Sequence, residues 1–371
     1  MENPMTQLGV YLGNRPQDLP AFEEWLGREV DNVHVVSGYQ SWADLIDSTR
    51  WNARELWHET PRDHQWSIPL IPLGATLEEA ATGAYNARYR ELATILVENS
   101  QTDGPIDVRT GWEFNGDWFP WSAIGREEAY IGAFRQFVDA FRAVSDRFVF
   151  EWNVNEAWGG MDPAAAYPGD DYVDIIGMDV YWNTLYFTSD PYQAWDMLLK
   201  EKYGLQWHQD FAAARGKPTA YSEWGVMTNN AEPFVKAMKV WFDTHDVVFQ
   251  SRWDSDDSFP GRLSDGSEPN TGRAYVETFS DAGMDWSLDG LQYIAGYGDL
   301  IEAFGPDAKA GQRHYFHYGI EEGRSTDRFD AQTYLANYAD LRAAFGWDET
   351  DAARHFILHG HGEGRTDSAL F

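Results

Sequence analysis

The chain has no cysteine among its 371 residues. This absence excludes disulfide bonds, thiolate metal ligands and catalysis by a thiolate nucleophile. Basic residues are also scarce, because 28 lysines and arginines stand against 60 aspartates and glutamates, which gives a formal net charge of −32. Such a surface would repel nucleic acids and anionic membranes, so we expect neither as a partner.

Long apolar runs are missing too, and no stretch of the sequence has the length and hydropathy to cross a bilayer. The opening residues Met1-Glu2-Asn3-Pro4-Met5 lack the basic and apolar regions of a signal peptide. We therefore expect a leader that has been removed, or export by another route. The acidic surface suits a bacterial protein that is secreted or held at the cell surface and acts on neutral substrates, or it serves solubility alone.

Aromatic residues are abundant, with 18 tryptophans, 19 tyrosines and 21 phenylalanines. Many of these rings belong in a hydrophobic core. A core alone rarely needs so many indoles, and sugar rings stack on flat aromatic faces. The composition therefore favours a carbohydrate as the substrate.

Eight apolar, β-branched or aromatic runs recur between residues 9 and 253, and amphipathic segments separate them. The runs are Gly9–Leu12, Val33–Tyr39, Ser67–Leu73, Asp107–Phe114, Phe148–Val154, Val173–Tyr181, Pro218–Gly225 and Val247–Trp253. Four separating segments favour helix: Ala21–Arg28, Gly83–Glu98, Arg126–Ser145 and Glu232–His245. This alternation predicts an α/β fold, a (β/α)8 TIM barrel over residues 1–285. A doubly wound sheet would need a glycine-rich phosphate turn after its first strand, and Gly13-Asn14-Arg15-Pro16 does not supply one.

The remainder of the chain, residues 288–371, contains a tandem repeat with an offset of 41 residues. Tyr293–Leu300 recurs as Tyr334–Leu341, and Arg313-His314 recurs as Arg354-His355. Each unit is predicted to form two short helices with a glycine turn, which gives a small all-α domain. Three roles stay open for it: a carbohydrate-binding module, an element for export or surface attachment, or a buttress that packs on the barrel.

Two segments each place a glutamate among aromatic residues at the predicted end of a strand. Glu113 lies in Trp112-Glu113-Phe114-Asn115-Gly116-Asp117-Trp118-Phe119-Pro120-Trp121, and Glu223 lies in Ser222-Glu223-Trp224-Gly225. Active sites of such barrels lie at the carboxyl ends of the strands, and strands four and seven face each other across the mouth. Two carboxyls there can cleave a glycosidic bond, since one protonates the leaving oxygen while the other attacks the sugar carbon or activates water.

These segments resemble glycoside hydrolase family 26, which is best known for endo-β-1,4-mannanases, and the resemblance covers roughly residues 7–280. Arg109–Trp121 is similar to the acid/base segment of that family, and Ser222–Gly225 is similar to its nucleophile segment. The resemblance implies that Glu113 is the general acid/base and Glu223 the nucleophile of a retaining double displacement.

Five further residues are predicted to bind substrate or to support the catalytic pair: Arg109, Trp118, Trp121, Tyr181 and Trp253. Strand parity places Arg109 on the same interior face as Glu113, where its guanidinium would keep a nucleophilic carboxylate ionised. By the resemblance, Tyr181 matches a tyrosine near the nucleophile and Trp253 an aromatic beneath the sugar at the cleavage point. Trp118 and Trp121 would line neighbouring sugar subsites.

One residue departs from the family pattern. Family mannanases usually carry histidine immediately before the acid/base, and this chain has Trp112, whose parity points it away from Glu113. The prediction is a retaining endo-β-glycanase acting on β-1,4-mannan, with mixed-linked β-glucan, β-1,3-xylan and a bacterial exopolysaccharide as alternative substrates. Two rival functions stay open, namely a catalytically idle sugar-binding barrel and an inverting or exo-acting enzyme.

We expect neither a cofactor nor a metal. Asp162, Asp170, Asp171 and Asp174 form an acidic cluster that fits a solvated loop better than a metal site, and the ten histidines lack ligand spacing. The expected partner is a polysaccharide or oligosaccharide, and the protein is expected to be a monomer.

Overall fold

The computed structural model describes residues 6–156, 160–280, 287–320 and 322–369. Within them, eight parallel strands pair in chain order and close into a barrel through β8 and β1. The strands are β1 (Gln7–Tyr11), β2 (Asn32–Val36), β3 (Asp63–Ser67), β4 (Ile106–Arg109), β5 (Phe148–Asn155), β6 (Ile175–Asn183), β7 (Thr219–Met227) and β8 (Val247–Trp253). The predicted (β/α)8 barrel is confirmed, and a helical region follows it.

Helices separate the strands. They are α1 (Leu19–Leu26), α2 (Trp42–Trp51), α3 (Leu77–Ala81), α4 (Asn86–Asn99), α5 (Glu127–Arg142), α6 (Pro191–Lys200), α7 (Leu205–Ala213), α8 (Glu232–Thr244) and α9 (Pro269–Phe279). Helix α5 illustrates why they form, because Tyr130, Phe134, Phe137 and Phe141 recur at helical spacing and all four are buried. In the described part of the chain, no helix has the length and hydropathy needed to span a membrane.

The sequence misplaced the third strand. The prediction Ser67–Leu73 begins where β3 ends, because the run Ile68–Leu73 is more apolar than the strand itself. Pro69 and Pro72 lie in that run and have no N–H to donate to a neighbouring strand. Ile68 still donates to the carbonyl of Arg109 at 2.9 Å, and the ladder stops there.

The fourth strand is shorter than the predicted Asp107–Phe114, since it ends at Arg109. Glu113 therefore lies in the loop that follows β4 and not on the strand. The strand-parity argument that pointed Glu113 and Arg109 the same way does not apply, and the loop itself sets the direction of the glutamate.

The barrel interior is unusually polar for its burial. Ser67, Arg109, Glu151, Asn153 and Asp179 are all buried, and they come from β3, β4, β5 and β6. A barrel of this kind is typically filled with branched apolar residues. Buried polar groups cost free energy unless they are hydrogen-bonded, so this cluster indicates a network that supports the site above it.

The chain is divided into two compact units. The first runs through Glu232 and resumes with His245–Val276, and the second takes Pro233–Thr244 and continues from Glu277. The predicted domain boundary at residues 285–288 meets residues 281–286, which lie outside the described residues.

The C-terminal helices are α10 (Ser287–Ala295), α11 (Gly298–Phe304), α12 (Ala308–His314), α13 (Ala331–Asn337), α14 (Ala339–Phe345) and α15 (Glu349–His355). They share one hydrophobic cluster that includes Leu291, Ile294, Leu335 and Ile357. Each half has three helices followed by a short π-helical turn, so the expectation of two helices per unit is wrong.

Equivalent contacts recur in the two halves of this helical region. The Tyr293 hydroxyl lies 2.9 Å from Nδ1 of His314, and the Tyr334 hydroxyl lies 3.0 Å from Nδ1 of His355. Both tyrosines are buried in the shared cluster. The same tyrosine–histidine contact is therefore made in both halves, at positions 41 residues apart.

Candidate active site

A strained turn after β4 presents Glu113 to the barrel mouth. Gly111 has φ of +59° and Glu113 has φ of +49°, which is the left-handed region that a glutamate rarely adopts. The Glu113 N–H donates to the carbonyl of Asn153 at 3.1 Å, which ties the turn to β5. Non-glycine residues in this region cluster at functional sites, where the surrounding structure holds them.

The Glu113 carboxyl accepts two hydrogen bonds. Asn155 Nδ2 donates to Oε1 at 2.8 Å, and the Trp118 indole N–H donates to Oε2 at 2.7 Å. Burial, and next the charge of Glu223, raise the pKa of Glu113 to about 7, against the lowering effect of these two bonds. Glu113 can therefore carry a proton near neutral pH.

Glu223 on β7 has the opposite surroundings. The Arg109 guanidinium donates to its Oε1, and the Tyr181 hydroxyl donates to its Oε2 at 2.7 Å. Burial, with the neighbouring carboxylates Glu223 and Asp179, raises the pKa of Tyr181 well above its ordinary value, so the phenol keeps the proton that it donates. Two donors, one of them a cation, therefore hold both carboxyl oxygens of Glu223 in place.

Arg109 lies beneath Glu223 and connects it to the barrel interior. Its Nη1 donates to both carboxylate oxygens of Asp179, at 2.8 and 2.7 Å, and its Nε donates to Ser67 Oγ at 2.8 Å. Although burial opposes it, the charges of Asp179 and Glu223 raise the pKa of Arg109. Arg109 is almost wholly buried and donates to Glu223, so it positions that carboxyl, and its direct binding of substrate stays a prediction.

His34 lies beside Ser67 and Arg109 in this network. Its Nε2 lies 2.6 Å from Ser67 Oγ and 3.3 Å from Nη2 of Arg109. Complete burial, and next the Arg109 charge, hold the pKa of His34 well below its ordinary value, so the ring is neutral. A neutral ring can accept a hydrogen bond and does not compete with Arg109 for Glu223.

Glu151 on β5 is a further buried carboxyl, and Asn153 connects it to Asp179. Ser222 Oγ is 2.7 and 2.6 Å from the two oxygens of Glu151, and Asn153 Nδ2 donates to Glu151 at 3.0 Å and to Asp179 at 2.9 Å. Burial raises the pKa of Glu151, against Arg109 and these hydrogen bonds. The buried polar groups are thus linked from Glu151 through Asp179 and Arg109 to Glu223.

Sequence reasoning missed most of this support. Asp179 and Asn155 were accessible to it, because Asp179 is two residues before Tyr181 on β6 and Asn155 is two after Asn153 on β5, so each pair shares an interior face. Polar residues at alternate positions of a predicted buried strand were the available signal. Ser67 and His34 lacked this signal only because the predicted runs began at Ser67 and Val33. Those runs left out Gln65 and Asn32, the polar residues two positions earlier on β3 and β2.

The arrangement can perform acid–base and nucleophilic chemistry on one bond. Glu113 is a carboxylic acid near neutral pH, and Glu223 is held by an arginine and a phenol. Of the two carboxyls, Glu113 is the one that can supply a proton, and Glu223 is the one held in place by charged and phenolic donors. In the described residues, no group of three or more histidine, aspartate and glutamate side chains is placed to hold a metal ion.

The family model of glycosyl hydrolase family 26 matches residues 57–253, more than half of the chain. The chain belongs to glycosyl hydrolase family 26. Endoglucanase H of Acetivibrio thermocellus is 28% identical over 213 residues, covering 54% of this chain and 23% of that protein. A mannan endo-1,4-beta-mannosidase of Bifidobacterium adolescentis is 30% identical over 153 residues, covering 39% and 15%. The chain thus spans about a quarter or less of the length of these two relatives.

Solved structures agree with the fold. The endo-beta-1,4-mannanase of Cellulomonas fimi, as a double mutant, aligns with a TM-score of 0.53 and 16% identity over 74% of this chain and 72% of that one. The Bacillus subtilis mannanase BCman aligns with a TM-score of 0.52 and 17% identity over 76% and 86%. At such identities the likeness establishes the barrel alone.

Two of the aromatic residues predicted for this family 26 site contact Glu113 or Glu223, and a third, Trp253, contacts Tyr181. Trp118 contacts Glu113 and is 49% exposed, and Tyr181 contacts Glu223. Trp253 stacks on Tyr11 with ring centroids 4.1 Å apart and meets Tyr181 edge-on at 6.3 Å. Their roles toward a sugar stay predictions.

The prediction for Trp121 is wrong. Its ring is fully buried, stacks on Phe119 at 4.6 Å, and donates its N–H to the carbonyl of Trp112 at 2.7 Å. No face is left for a sugar, so Trp121 packs behind the loop that carries Glu113. Trp112 is buried as well. The Arg109 guanidinium lies 4.9 Å from the centre of its ring, so this tryptophan packs against the arginine that binds Glu223.

Proposed function

We propose that this chain is a retaining endo-β-glycanase that hydrolyses β-1,4-mannan. The observation that carries the proposal is the asymmetry of the two carboxyls: Glu113 has its pKa raised to about 7, while Glu223 receives hydrogen bonds from Arg109 and Tyr181. A retaining mechanism requires one acid and one anionic nucleophile on the same bond. The family 26 match, and a relative named as a mannan endo-1,4-beta-mannosidase, favour mannan.

The proposed reaction has two steps. In the first, Glu223 attacks the anomeric carbon while Glu113 gives its proton to the leaving glycosidic oxygen, so a glycosyl ester and a free sugar hydroxyl form. In the second, Glu113, now ionised, takes a proton from water as that water attacks the anomeric carbon. Glu223 leaves as a carboxylate, and the configuration of the sugar is retained.

The reaction is tested with β-1,4-mannan, mixed-linked β-glucan, β-1,3-xylan and bacterial exopolysaccharides as substrates. We expect internal cleavage of mannan into mixed oligosaccharides. Proton NMR during the first minutes should detect the β-anomer before mutarotation. An α-anomer as first product would refute retention, and stepwise release of one small product would refute endo action.

A second candidate substrate is mixed-linked β-glucan. Trp112 stands where mannanases of this family usually carry histidine, and it contacts Arg109. One relative is also named as an endoglucanase. Preferential cleavage of the mixed-linked glucan over mannan in the same assay would favour this candidate.

The rival function is a non-catalytic sugar-binding barrel. It predicts that the protein binds a polymer and releases no product.

We further propose that the protein is a secreted or cell-surface monomer and that its C-terminal helical region serves attachment or structure. The net charge of −32 fits an extracellular setting. The paired contacts of His314 and His355 favour a structural role for the two repeats, which resemble a tandem unit found at the ends of secreted bacterial proteins. Cell fractionation and sedimentation of the intact chain test location and oligomeric state.

A further inference from the structure

We infer that the turn after β6 forms an outer sugar-binding position on the leaving-group side of the cleft, with Tyr186 as the stacking ring. This inference rests on the proposed function and adds a residue that the catalytic description does not use. Its first support is exposure, because Leu185 and Tyr186 are 83% and 82% exposed. Exposed adjacent apolar side chains often mark a binding surface.

The backbone of this turn is held firmly although the two side chains are free. Asn183 Oδ1 accepts from the N–H of Leu185 at 2.9 Å, and the Asn183 carbonyl accepts from Tyr186 and Phe187, both at 3.0 Å. The indole of Trp182 donates to the carbonyl of Thr188 at 2.9 Å. A ring presented on a fixed backbone loses little conformational entropy when it binds, which suits a stacking platform.

The position of the turn connects it to the catalytic pair. It begins at Asn183, where β6 ends, two residues after Tyr181, which donates to Glu223. The carboxyl ends of the strands form the mouth where substrate enters. In the described part of the chain Tyr186 makes no ring contact, so both faces of its ring can meet a ligand.

The choice of side follows from the general acid. Glu113 must contact the leaving oxygen, and it is bound by Asn155 on β5, the strand that pairs with β6. A polymer whose leaving portion runs from Glu113 past Asn155 would next meet the end of β6, because β5 pairs with β6. Tyr186 would therefore bind a sugar of the leaving portion, several sugar units from the cleaved bond, and would act on long substrates.

The test compares Tyr186→Ala with Trp51→Ala on a long polymer and on a short activated glycoside. Trp51 is a matched control because it is 54% exposed but ends α2, the helix that leads away from the carboxyl end of β2. The ratio of kcat/KM for β-mannan to that for the glycoside should fall about tenfold in Tyr186→Ala, mainly through KM, and stay unchanged in Trp51→Ala. Tyr186→Phe should keep the parent ratio, because stacking needs the ring and not the hydroxyl.

Two outcomes would overturn the inference: an unchanged ratio in Tyr186→Ala, or an equal loss on both substrates. The proposed function is judged separately by the parent chain. If the parent cleaves no β-mannan, that function fails, and retention in native gels containing each polymer of the panel then decides about the turn. Weaker retention of Tyr186→Ala than of the parent and of Trp51→Ala would support it, and equal retention on every polymer would refute it.

Discussion

At the scale of single residues, one arginine distinguishes the surroundings of Glu223 from those of Glu113. Arg109 donates to both Asp179 and Glu223. Glu223 also accepts a hydrogen bond from the Tyr181 phenol, so its two donors are a cation and a phenol. Glu113 receives an amide and an indole, which are neutral donors. Charge-assisted hydrogen bonds are stronger than neutral ones, so the two carboxyls are held by donors of different strength.

Glu223→Gln should abolish turnover while substrate binding changes little. The amide has nearly the same shape but cannot form the glycosyl ester. We expect kcat for β-mannan to fall by at least about 10⁴-fold, whereas calorimetry with a mannan oligosaccharide should give a Kd within about threefold of the parent. Near-normal hydrolysis by the purified variant would remove Glu223 from the nucleophile role.

Glu113→Ala should be far less damaging for an activated aryl glycoside than for mannan, because a good leaving group needs little protonation. Its second step should be slow, since no base remains to activate water. Azide is a nucleophile that needs no base, so it should restore turnover and give a β-glycosyl azide. If azide neither restores turnover nor yields that product, Glu113 is not the acid/base of a retaining enzyme.

The pH profile follows from the raised pKa of Glu113. The acid works only when protonated, and its pKa of about 7 means that protons leave as the pH rises through that value. The kcat/KM for mannan should therefore decline above about pH 7. In Glu113→Ala, assayed on the activated glycoside, the decline near pH 7 should vanish. Its persistence there would assign the alkaline limb to another group.

At the scale of elements, sequence patterns located the barrel but not every strand end. The seventh and eighth strands were predicted to within two residues, since their apolar runs end at polar loops. The third strand was misplaced because a buried loop segment, residues 68–72, is more apolar than Asp63–Ser67. Hydrophobic pattern reports burial, and a buried loop has the same pattern as a strand.

Sequence patterns were also unable to predict the conformation of the loop after β4, which carries Glu113. The motif correctly brought Glu113 to the mouth beside Trp118 and Glu223 to Arg109, because a barrel gathers the carboxyl ends of its strands. It gave no means to separate Trp118 from Trp121, three residues apart in one loop. The chain turns at Gly111 and Glu113, which both have positive φ angles. Sequence patterns rarely predict such angles, so they did not reveal which side chains of the loop point outward.

Trp118→Ala and Trp121→Ala should therefore behave differently although both alter the same loop. Trp121 is fully buried, so its truncation should cost about 3–5 kcal/mol of unfolding free energy, measured by urea denaturation. Trp118 is half exposed, so its truncation should cost less than about 1 kcal/mol while raising KM for mannan. Equal destabilisation, or a KM effect confined to Trp121→Ala, would contradict the assignment.

At the scale of the whole molecule, chemistry and repeats occupy different stretches of the chain. Every residue of the catalytic network lies between His34 and Glu223, and all eight strands end by Trp253. The helices from α10 onward share their own hydrophobic cluster, which includes Leu291 and Ile357. Their compact unit nevertheless includes Pro233–Thr244, which precedes β8 in the chain. The repeat offset revealed the second region in the sequence but gave no sign that this earlier segment belongs to it.

A chain ending at residue 286 should therefore keep its chemistry and lose stability. Short activated glycosides should be cleaved with kcat/KM within about threefold of the parent, because no residue of the site is removed. The melting temperature should fall, since Pro233–Thr244 loses the helices that belong to the same compact unit. A matched control is Trp347→Ala, which alters an exposed residue of the removed region and should leave both quantities unchanged. A soluble truncated chain that melts cooperatively but fails on short glycosides would place the repeats in the active site, and an unchanged melting temperature would exclude them as a support for that helix.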